Sequence, residues 1–544
     1  MSFFESFRQP PHIHLSWVVA LCALWTLLGL VGHDPWKPDE ASGFGLVYSI
    51  LQGGDWVIPM LAGEPFMERP PLYYLTAAAI AKIFSGWLPL HDGARLASGF
   101  YMGLALLFTG LTGRELWGKG YGRITALIMI ACLGLVVRTH QIITDTALLA
   151  GVAIALYGLA LAPRRHVIAG IIIGSGIGVG FMSKGLFEPG IIAITALLLP
   201  FLSSAWRSRR YAICLAIAFV AALPWLAIWP FLLYQRAPEL FMEWLWVNNL
   251  GHLTGSTPLL ASHEPGYYFT ILPWFAWPAL PLALWTLWRH NWKDGFIPAI
   301  ALPLTAFLVI LLVLSTAVIA RDVYALPLLP PLAVLATAAV NSLRRGAANS
   351  LDWFSVMTFS LFAGVLWLAW YASLTGHPTE VAHWVDKRQP GYIVHINGLA
   401  LFLAAALSTA WIVVVARMKR NALRGIVNSA LGITLAWGLL ATIWLPWLDS
   451  DKSYRAMIVS LQGSLPSNYN CIGSKQLGEP QRALLHYFAG IITLRDEVDD
   501  SHCELKLIQN GANLPEQSEQ GWKPIWQGRR QGDKTELYTL LKKL

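Results

Sequence analysis

The sequence predicts a mainly α, polytopic transmembrane helical bundle followed by a small C-terminal α/β domain. Three observations predict it. Of 544 residues, 56% are hydrophobic and only 13% charged, and the mean hydropathy is +0.52, too apolar for a soluble chain of this length. Apolar runs of membrane length recur up to Trp447, and from Asp449 onward the composition turns mixed and polar. The net charge of +8 comes from short basic clusters between apolar runs. With no basic stripe and no nucleic-acid motif, nucleic acid is not expected as a partner, and topology explains the clusters.

Crossing roughly 30 Å of hydrocarbon at about 1.5 Å per residue requires runs such as those near 15–33, 94–116, 121–137, 143–162, 167–182, 185–202, 211–234, 268–288, 297–319, 324–343, 353–375, 393–416 and 426–447. That is about thirteen spans. The first, Leu15 to Val31, has no small-residue cleavage site before Asp34 and reads as a retained helix. Pro70 to Trp87 is a further apolar stretch, and counting it would reverse every later helix.

The distribution of arginine and lysine decides the orientation. With Pro70 to Trp87 lying on the surface, the loops carrying Arg114/Lys119/Arg123, Arg164/Arg165, Arg207/Arg209/Arg210, Arg289/Lys293, Arg344/Arg345 and Arg417/Lys419/Arg420/Arg424 share the N-terminal side. That side is the cytoplasm. The other side receives 34–93 as a first long loop, then 235–267, 376–392 and the tail. The expected division is a transmembrane domain over 1–448 and a soluble extracytoplasmic α/β domain over 449–544.

In the tail, strand-like "NCIGS" and "GIITL" flank a helix-like "EPQRALLHYF". Cys471 and Cys503 lie there, whereas Cys22, Cys132 and Cys214 lie in or beside apolar spans. Two cysteines of an exported domain are expected to pair, and closing that loop adds roughly 3–4 kcal/mol in the chain-entropy description.

Ionisable groups at membrane depth are expensive and point to function. On this topology Asp34, Asp39, Glu40, Glu68, Arg69, Arg95, Arg138, Asp145, Lys184, Asn248, Asn249, His252, His263, Arg321, Asp322 and Tyr324 converge on the outer face. Plainer readings exist for several. Asp145 in "IITDTALL" suits a helix cap. Arg69, Arg95 and Lys184 suit snorkelling to headgroups. Asp34 reads as a helix-end residue in water, and His252 and His263 as loop histidines without metal-ligand spacing.

The stretch "WKPDEASGFGLVYSILQGGDWVIPMLAGEPFMERPPLYYLTAAA", with "RLAS", "TDTALL", "GFMSKG", "PGYYFTILPWFAWPALP" and "RDVYALPLLPPLAVL" further on, resembles the bacterial transferases that move aminoarabinose from undecaprenyl phosphate onto lipid A. These group with the protein O-mannosyltransferases in the GT-C class of membrane glycosyltransferases. The chain departs from the aminoarabinose transferases in four places, one being Arg321, which represents the basic residue before their Tyr, with Asp322 inserted before Tyr324. Ala41 and Ser42 stand where they carry Thr-Arg, Arg69 stands for a Lys, and Asn248 and Asn249 stand for a Glu-His pair.

The resemblance implies a GT-C fold and an enzyme that passes a sugar from a polyprenyl-phosphate donor to an extracytoplasmic lipid or glycan acceptor by inverting displacement. Such a donor carries its own leaving group, so no nucleotide-binding loop is needed and none is visible. The expected roles are Asp39, Glu40 and Asp145 as catalytic carboxylates, with Asp39 the general base and Glu40 orienting. Arg69, Lys184, Arg321, Arg138, Arg95 and Tyr324 are expected to hold the donor phosphate. Glu68, Tyr73, Tyr74, Asn248, Asn249 and His252 are expected at the acceptor or its lid. No cofactor is required; Glu68 is the candidate if a divalent metal takes part, and a monomer in contact with membrane lipids is expected. Two alternatives remain at this point: a protein O-glycosyltransferase of the mannosyltransferase type, and a lipid-linked sugar flippase, whose usual internal repeats are not evident.

Overall fold

The computed structural model describes residues 13–251, 266–317, 320–421, 423–498, 502–511, 521–531, 533 and 535–544. The first nine α-helices are α1 Leu15–Leu27, α2 Asp39–Leu51, α3 Leu72–Phe84, α4 Leu90–Trp117, α5 Tyr121–Ile130, α6 Asp145–Leu161, α7 His166–Lys184, α8 Phe187–Leu202 and α9 Arg209–Arg236. Six helices of the described residues are long and apolar enough to cross a membrane: α4, α7, α9, Pro298–Thr316, Arg345–Thr375 and Gly398–Arg417. Three bent pairs raise this to nine if each is one span, and α1, α3, α6, α8 and the segment Asp322–Ala336 are shorter apolar helices.

Three runs that read as continuous are broken. Tyr121–Ile130 bends by 62° into Leu133–His140, Tyr267–Phe275 by 96° into Ala279–Arg289, and Arg424–Leu440 by 59° into Leu445–Lys452. The second break falls at Pro278 and the third before Pro446, residues that cannot donate to a preceding turn. The first and second breaks meet. Gly134 faces the Phe275 ring so closely that a Cβ would lie 2.5 Å from it, and Leu133 donates its amide to the Trp277 carbonyl at 3.3 Å.

Close helix approach in the bundle centre follows from small residues on α7. A Cβ at Gly176 would lie 2.7 Å from the amide of Ala155 on α6, and one at Gly174 would lie 2.5 Å from the carbonyl of Ala218 on α9. α3 packs its Tyr73, Tyr74, Ala77, Ala78 and Ala81 face inward, while Ile83 and Trp87 remain exposed.

The first loop and the tail form one docked unit. A short antiparallel hairpin, β1 Met60–Leu61 and β2 Glu64–Pro65, turns at Ala62 and Gly63, both with positive φ. The tail sheet has five strands, β3 Ile472–Lys475, β4 Leu494–Arg495, β5 Leu505–Gly511, β6 Trp522–Gly528 and β7 Glu536–Lys543, in the order β4-β3-β5-β7-β6. β3 runs parallel to β4 and β5, and β7 runs antiparallel to β5 and β6. Leu505, Leu507, Tyr538 and Leu540 of the sheet share a core with Met457, Ile458, Leu484 and Leu485 of flanking helices. Cys471 and Cys503 form a disulfide, as the sequence leads one to expect.

The helix Glu479–Ala489 lies against α2, with Ala483 filling the space beside Gly45. Arg482 pairs with Glu64 of the hairpin at 2.8 Å, and Lys37 pairs with Glu536. The expectation that Asp34 sits in water is corrected. It is 6% exposed, accepts from Ser453 Oγ at 2.6 Å and Arg455 Nε at 3.0 Å, and donates its amide to Asp449 at 2.9 Å. A carboxylate with these partners fastens the first loop to the start of the tail.

Candidate active site

The first half of the cluster forms where α6 begins and α7 ends. Asp145 lies in the first turn of α6, and Lys184 ends α7. Their side chains meet at 2.6 Å, with Asp145 2% and Lys184 15% exposed. Arg69 approaches the other oxygen of Asp145 at 3.5 Å and donates to Thr144 Oγ1 at 2.9 Å. The chain leaves Lys184 through Gly185 at φ +72°, and a Cβ there would fall 2.0 Å from Asn249 Oδ1. Asn249 accepts from the Leu186 amide at 3.0 Å and donates to the Trp244 carbonyl at 2.8 Å. It therefore pins the turn that presents Lys184, and Asn248 donates to the Met67 carbonyl at 3.1 Å, tethering the strand of chain that carries Glu68 and Arg69.

The second half of the cluster forms around Asp39, in the first turn of α2. Arg321 donates to Asp39 Oδ2, and Arg138 lies 4.0 Å from the same oxygen. Asp322 grips Arg138 through both carboxylate oxygens, at 2.8 Å and 3.0 Å from Nη2 and 3.1 Å from Nε. Tyr324 joins the halves: Lys184 Nζ lies 4.3 Å from its ring centroid and the Arg321 guanidinium 5.7 Å. Four cations and three carboxylates are thus continuous from α2 to α7, and all are partly or fully shielded. Such an array can bind an anion by exchanging partners.

Several expected residues lie elsewhere or act differently. Arg95 is fully buried, and its donors are committed to Glu40 Oε1 at 2.7 Å, Asp92 Oδ1 at 2.7 Å and the carbonyls of Leu30 and His33 at 3.1 Å each. Glu40 is equally buried and also accepts from the Trp36 amide at 3.1 Å. Together they lock the entry to α2, which suits the orienting role expected of Glu40, while the donors of Arg95, expected on the donor phosphate, are held by protein acceptors. Tyr73 turns into the bundle, where its hydroxyl meets Ser98 Oγ at 2.6 Å. Tyr74 stays beside the cluster: burial raises its phenol pKa against the pull of Arg69, with Glu68, Asp145 and Asp39 nearby. Glu68 is exposed. His252 and His263 lie outside the described residues. Among the described residues no three His, Cys, Asp or Glu side chains group as a metal centre would require.

The sequence reading placed Asp322 on the outer face without giving it a role. An acid beside Arg321 was the available signal, and the bidentate grip on Arg138 is what it signified. Thr144 was missed as the partner of Arg69; a hydroxyl next to an acid in "TDTALL" carries no distinguishing mark.

The chain is similar to known proteins over most of its length. Residues 68–229 match the family model described as dolichyl-phosphate-mannose-protein mannosyltransferase. The undecaprenyl phosphate-alpha-4-amino-4-deoxy-L-arabinose arabinosyl transferase of Pseudomonas savastanoi pv. phaseolicola is 26% identical over 433 residues, 75% of this chain and 73% of that protein. The protein of the same description from Serratia proteamaculans is 23% identical over 488 residues, 86% of this chain and 81% of its own. The crystal structures of ArnT from Cupriavidus metallidurans cover 97% of both chains, with a TM-score of 0.68 at 16% identity when bound to undecaprenyl phosphate and 0.70 at 15% in the apo state. Over most of its length the chain is similar to these aminoarabinose transferases, and it shares the fold of the ArnT structures.

Proposed function

We propose that the protein transfers a sugar, of the aminoarabinose type, from undecaprenyl phosphate to the lipid A part of lipopolysaccharide at the outer face of the bacterial inner membrane. The observation that carries the reading is the continuous cluster of Arg69, Lys184, Arg321 and Arg138 with Asp145, Asp39 and Asp322 around Tyr324. The relatives named for this reaction support donor and chemistry.

In the proposed reaction an acceptor hydroxyl attacks the anomeric carbon of the donor. The glycosidic bond to the lipid phosphate breaks, the anomeric centre inverts, and the bonding pair leaves with the phosphate. Lys184, Arg69 and Arg321 face the charge that grows on the departing phosphate. Asp39 takes the hydroxyl proton, with Arg138 fixed behind it by Asp322. Asp145 holds Lys184 and Arg69 in register while the site is empty. All thirteen apolar runs cross in this reading, because nine coincide with long or bent helices and four with α1, α6, α8 and Asp322–Ala336. α3 then lies along the outer surface, the arginine-rich loops face the cytoplasm, and the tail domain over 449–544 is periplasmic. The protein works as a monomer without a required cofactor.

The test is turnover in proteoliposomes containing the lipid-linked aminosugar and lipid A. Free undecaprenyl phosphate should appear together with modified lipid A, and Asp39→Asn should lower the rate about 100-fold or more, the scale of general-base loss. The family description names protein acceptors, so the same assay with an exported protein distinguishes the O-mannosyltransferase type. Donor flipping without release of free lipid phosphate would overturn the enzyme reading.

A further inference from the structure

Far from the cluster in sequence, the bundle surface carries a groove of about 720 Å³. Trp277, Leu282 and Trp285 form one wall, and Leu351, Trp353 and Phe354 the other. Leu282 and Leu351 are buried at its floor, while Trp353 and Phe354 remain 66% and 42% exposed. The two ends differ. At one, Trp277 and Phe354 close the groove with ring centroids 5.0 Å apart, edge to face. At the other, the lining residues Leu343 and Ala347 flank Arg344 and Arg345, both exposed, and the lining continues through the polar Asn349 and Ser350.

The length of this groove has a physical meaning. From Arg345 to Phe354 the helix rises about 14 Å at 1.5 Å per residue, close to half of a hydrocarbon core about 30 Å thick. A slot whose lining at Leu343 and Ala347 brackets two exposed arginines, and which runs about one leaflet to the Trp277–Phe354 contact, matches a single lipid: headgroup toward the arginines, acyl chain along the tryptophans. A cationic pair at headgroup level selects negative charge, and aromatic side chains at this depth supply flat apolar contact.

We propose that this groove binds one anionic glycerophospholipid, with its phosphate against Arg344 and Arg345 and an acyl chain laid between the helices Ala279–Arg289 and Arg345–Thr375. The site is separate from the Asp39–Lys184 cluster and does not depend on the transferase reading. Its occupant braces two helices, one of which follows the sharp break at Pro278.

Native mass spectrometry of the full-length protein, released from detergent after incubation with phosphatidylglycerol, phosphatidylethanolamine or undecaprenyl phosphate, tests the proposal. The wild type should retain one phosphatidylglycerol about tenfold more strongly than phosphatidylethanolamine, a preference that two arginines near a phosphate can supply. The double variant Arg344→Gln/Arg345→Gln should reduce phosphatidylglycerol to the level of phosphatidylethanolamine. Ala347→Trp, which fills the groove mouth without touching its charge, should weaken both. Equal retention of the two phospholipids by the wild type would overturn the proposal. So would retention of phosphatidylglycerol unchanged in both variants, or preferential retention of undecaprenyl phosphate with the same sensitivities, which would make the groove a path for the donor chain. Thermal midpoints of the variants check that each is folded.

Discussion

Arg321 donates to the carboxylate of Asp39 from 282 positions away in sequence. Both side chains are partly accessible, 32% and 17% exposed. Among the described residues, the guanidinium contacts of Asp39, from Arg321 and Arg138, fall on Oδ2. In the proposed reaction this polarises the work of the pair: Oδ2 is held, and Oδ1 faces the acceptor.

A double-mutant cycle measures that coupling. Asp39→Asn and Arg321→Gln should each depress kcat/KM, Arg321→Gln chiefly through the donor KM, and the double variant should fall short of their product. Strict multiplication of the two effects would show that Arg321 and Asp39 act separately.

The pair of Lys184 and Asp145 makes a different demand, because Asp145 is almost wholly buried. Removing one partner of a buried pair leaves an uncompensated charge, a loss of about 3–5 kcal/mol before Arg69 compensates in part. Lys184→Met should lower the thermal midpoint in detergent modestly, since Arg69 still pairs with Asp145, and Lys184→Met/Asp145→Ala, which strands Arg69, should lower it further. Transfer should remain lost in both. Restored transfer in the double variant would reduce the pair to a packing role.

Hydropathy and arginine placement made the helices legible, because a thirty-ångström apolar requirement leaves a long signature in the chain. The breaks at Ala131–Cys132 and Ala276–Pro278 were not legible as a pair, since Gly134 meets Phe275 only through tertiary packing. The charged residues divide in the same way. Asp39, Arg69, Asp145, Lys184, Arg138, Arg321 and Tyr324 were recognisable as a set and do assemble. Glu40 and Arg95 belonged to the same stretch of motifs, yet burial commits them to each other. A sequence shows that a charge exists and not which partner consumes it; Asp34, whose hydrogen-bond partners in the tail lie more than 410 positions away, is the extreme case.

The disulfide gives a chemical check on the tail. Cys471 and Cys503 are joined, Cys132 and Cys214 are buried and Cys22 is half-buried. A maleimide shift of the denatured protein should report three thiols before reduction and five after. Five thiols before reduction in freshly isolated membranes would contradict the pairing and a tail in an oxidising compartment.

Orientation is tested at the basic loops. Cysteines introduced at Lys119 and Arg345 should resist an impermeant reagent in intact spheroplasts and label after permeabilisation, as cytoplasmic positions require. Labelling of both without permeabilisation would reverse the bundle and place α3 across the membrane.

The last prediction concerns Asp34 and acid. Burial alone would raise its carboxyl pKa, but the hydrogen bonds from Arg455 and Ser453 outweigh burial and hold it below the ordinary value. A depressed folded pKa means that the folded state favours the ionised carboxylate. The resulting stability is fully present above the ordinary aspartate value of about 4 and is lost as pH falls through the depressed value. Through Asp34, docking of the tail onto the first loop should loosen below about pH 4, whereas Asp449, whose carboxyl pKa is pushed up to about 6 by burial, takes up its proton between about pH 7 and 5 without loss of stability. Hydrogen exchange across residues 449–463 should report the loosening. Asp34→Asn keeps the size and removes the charge, so the variant should exchange faster at neutral pH and lose this step of the acid dependence. Because Asp34 touches the tail and not the Asp39 cluster, its transfer rate at neutral pH should fall less than about tenfold, against about 100-fold for Asp39→Asn. If Asp34→Asn abolished transfer with the tail still protected from exchange, Asp34 would belong to the chemistry, and the separation of dock from active site would fail.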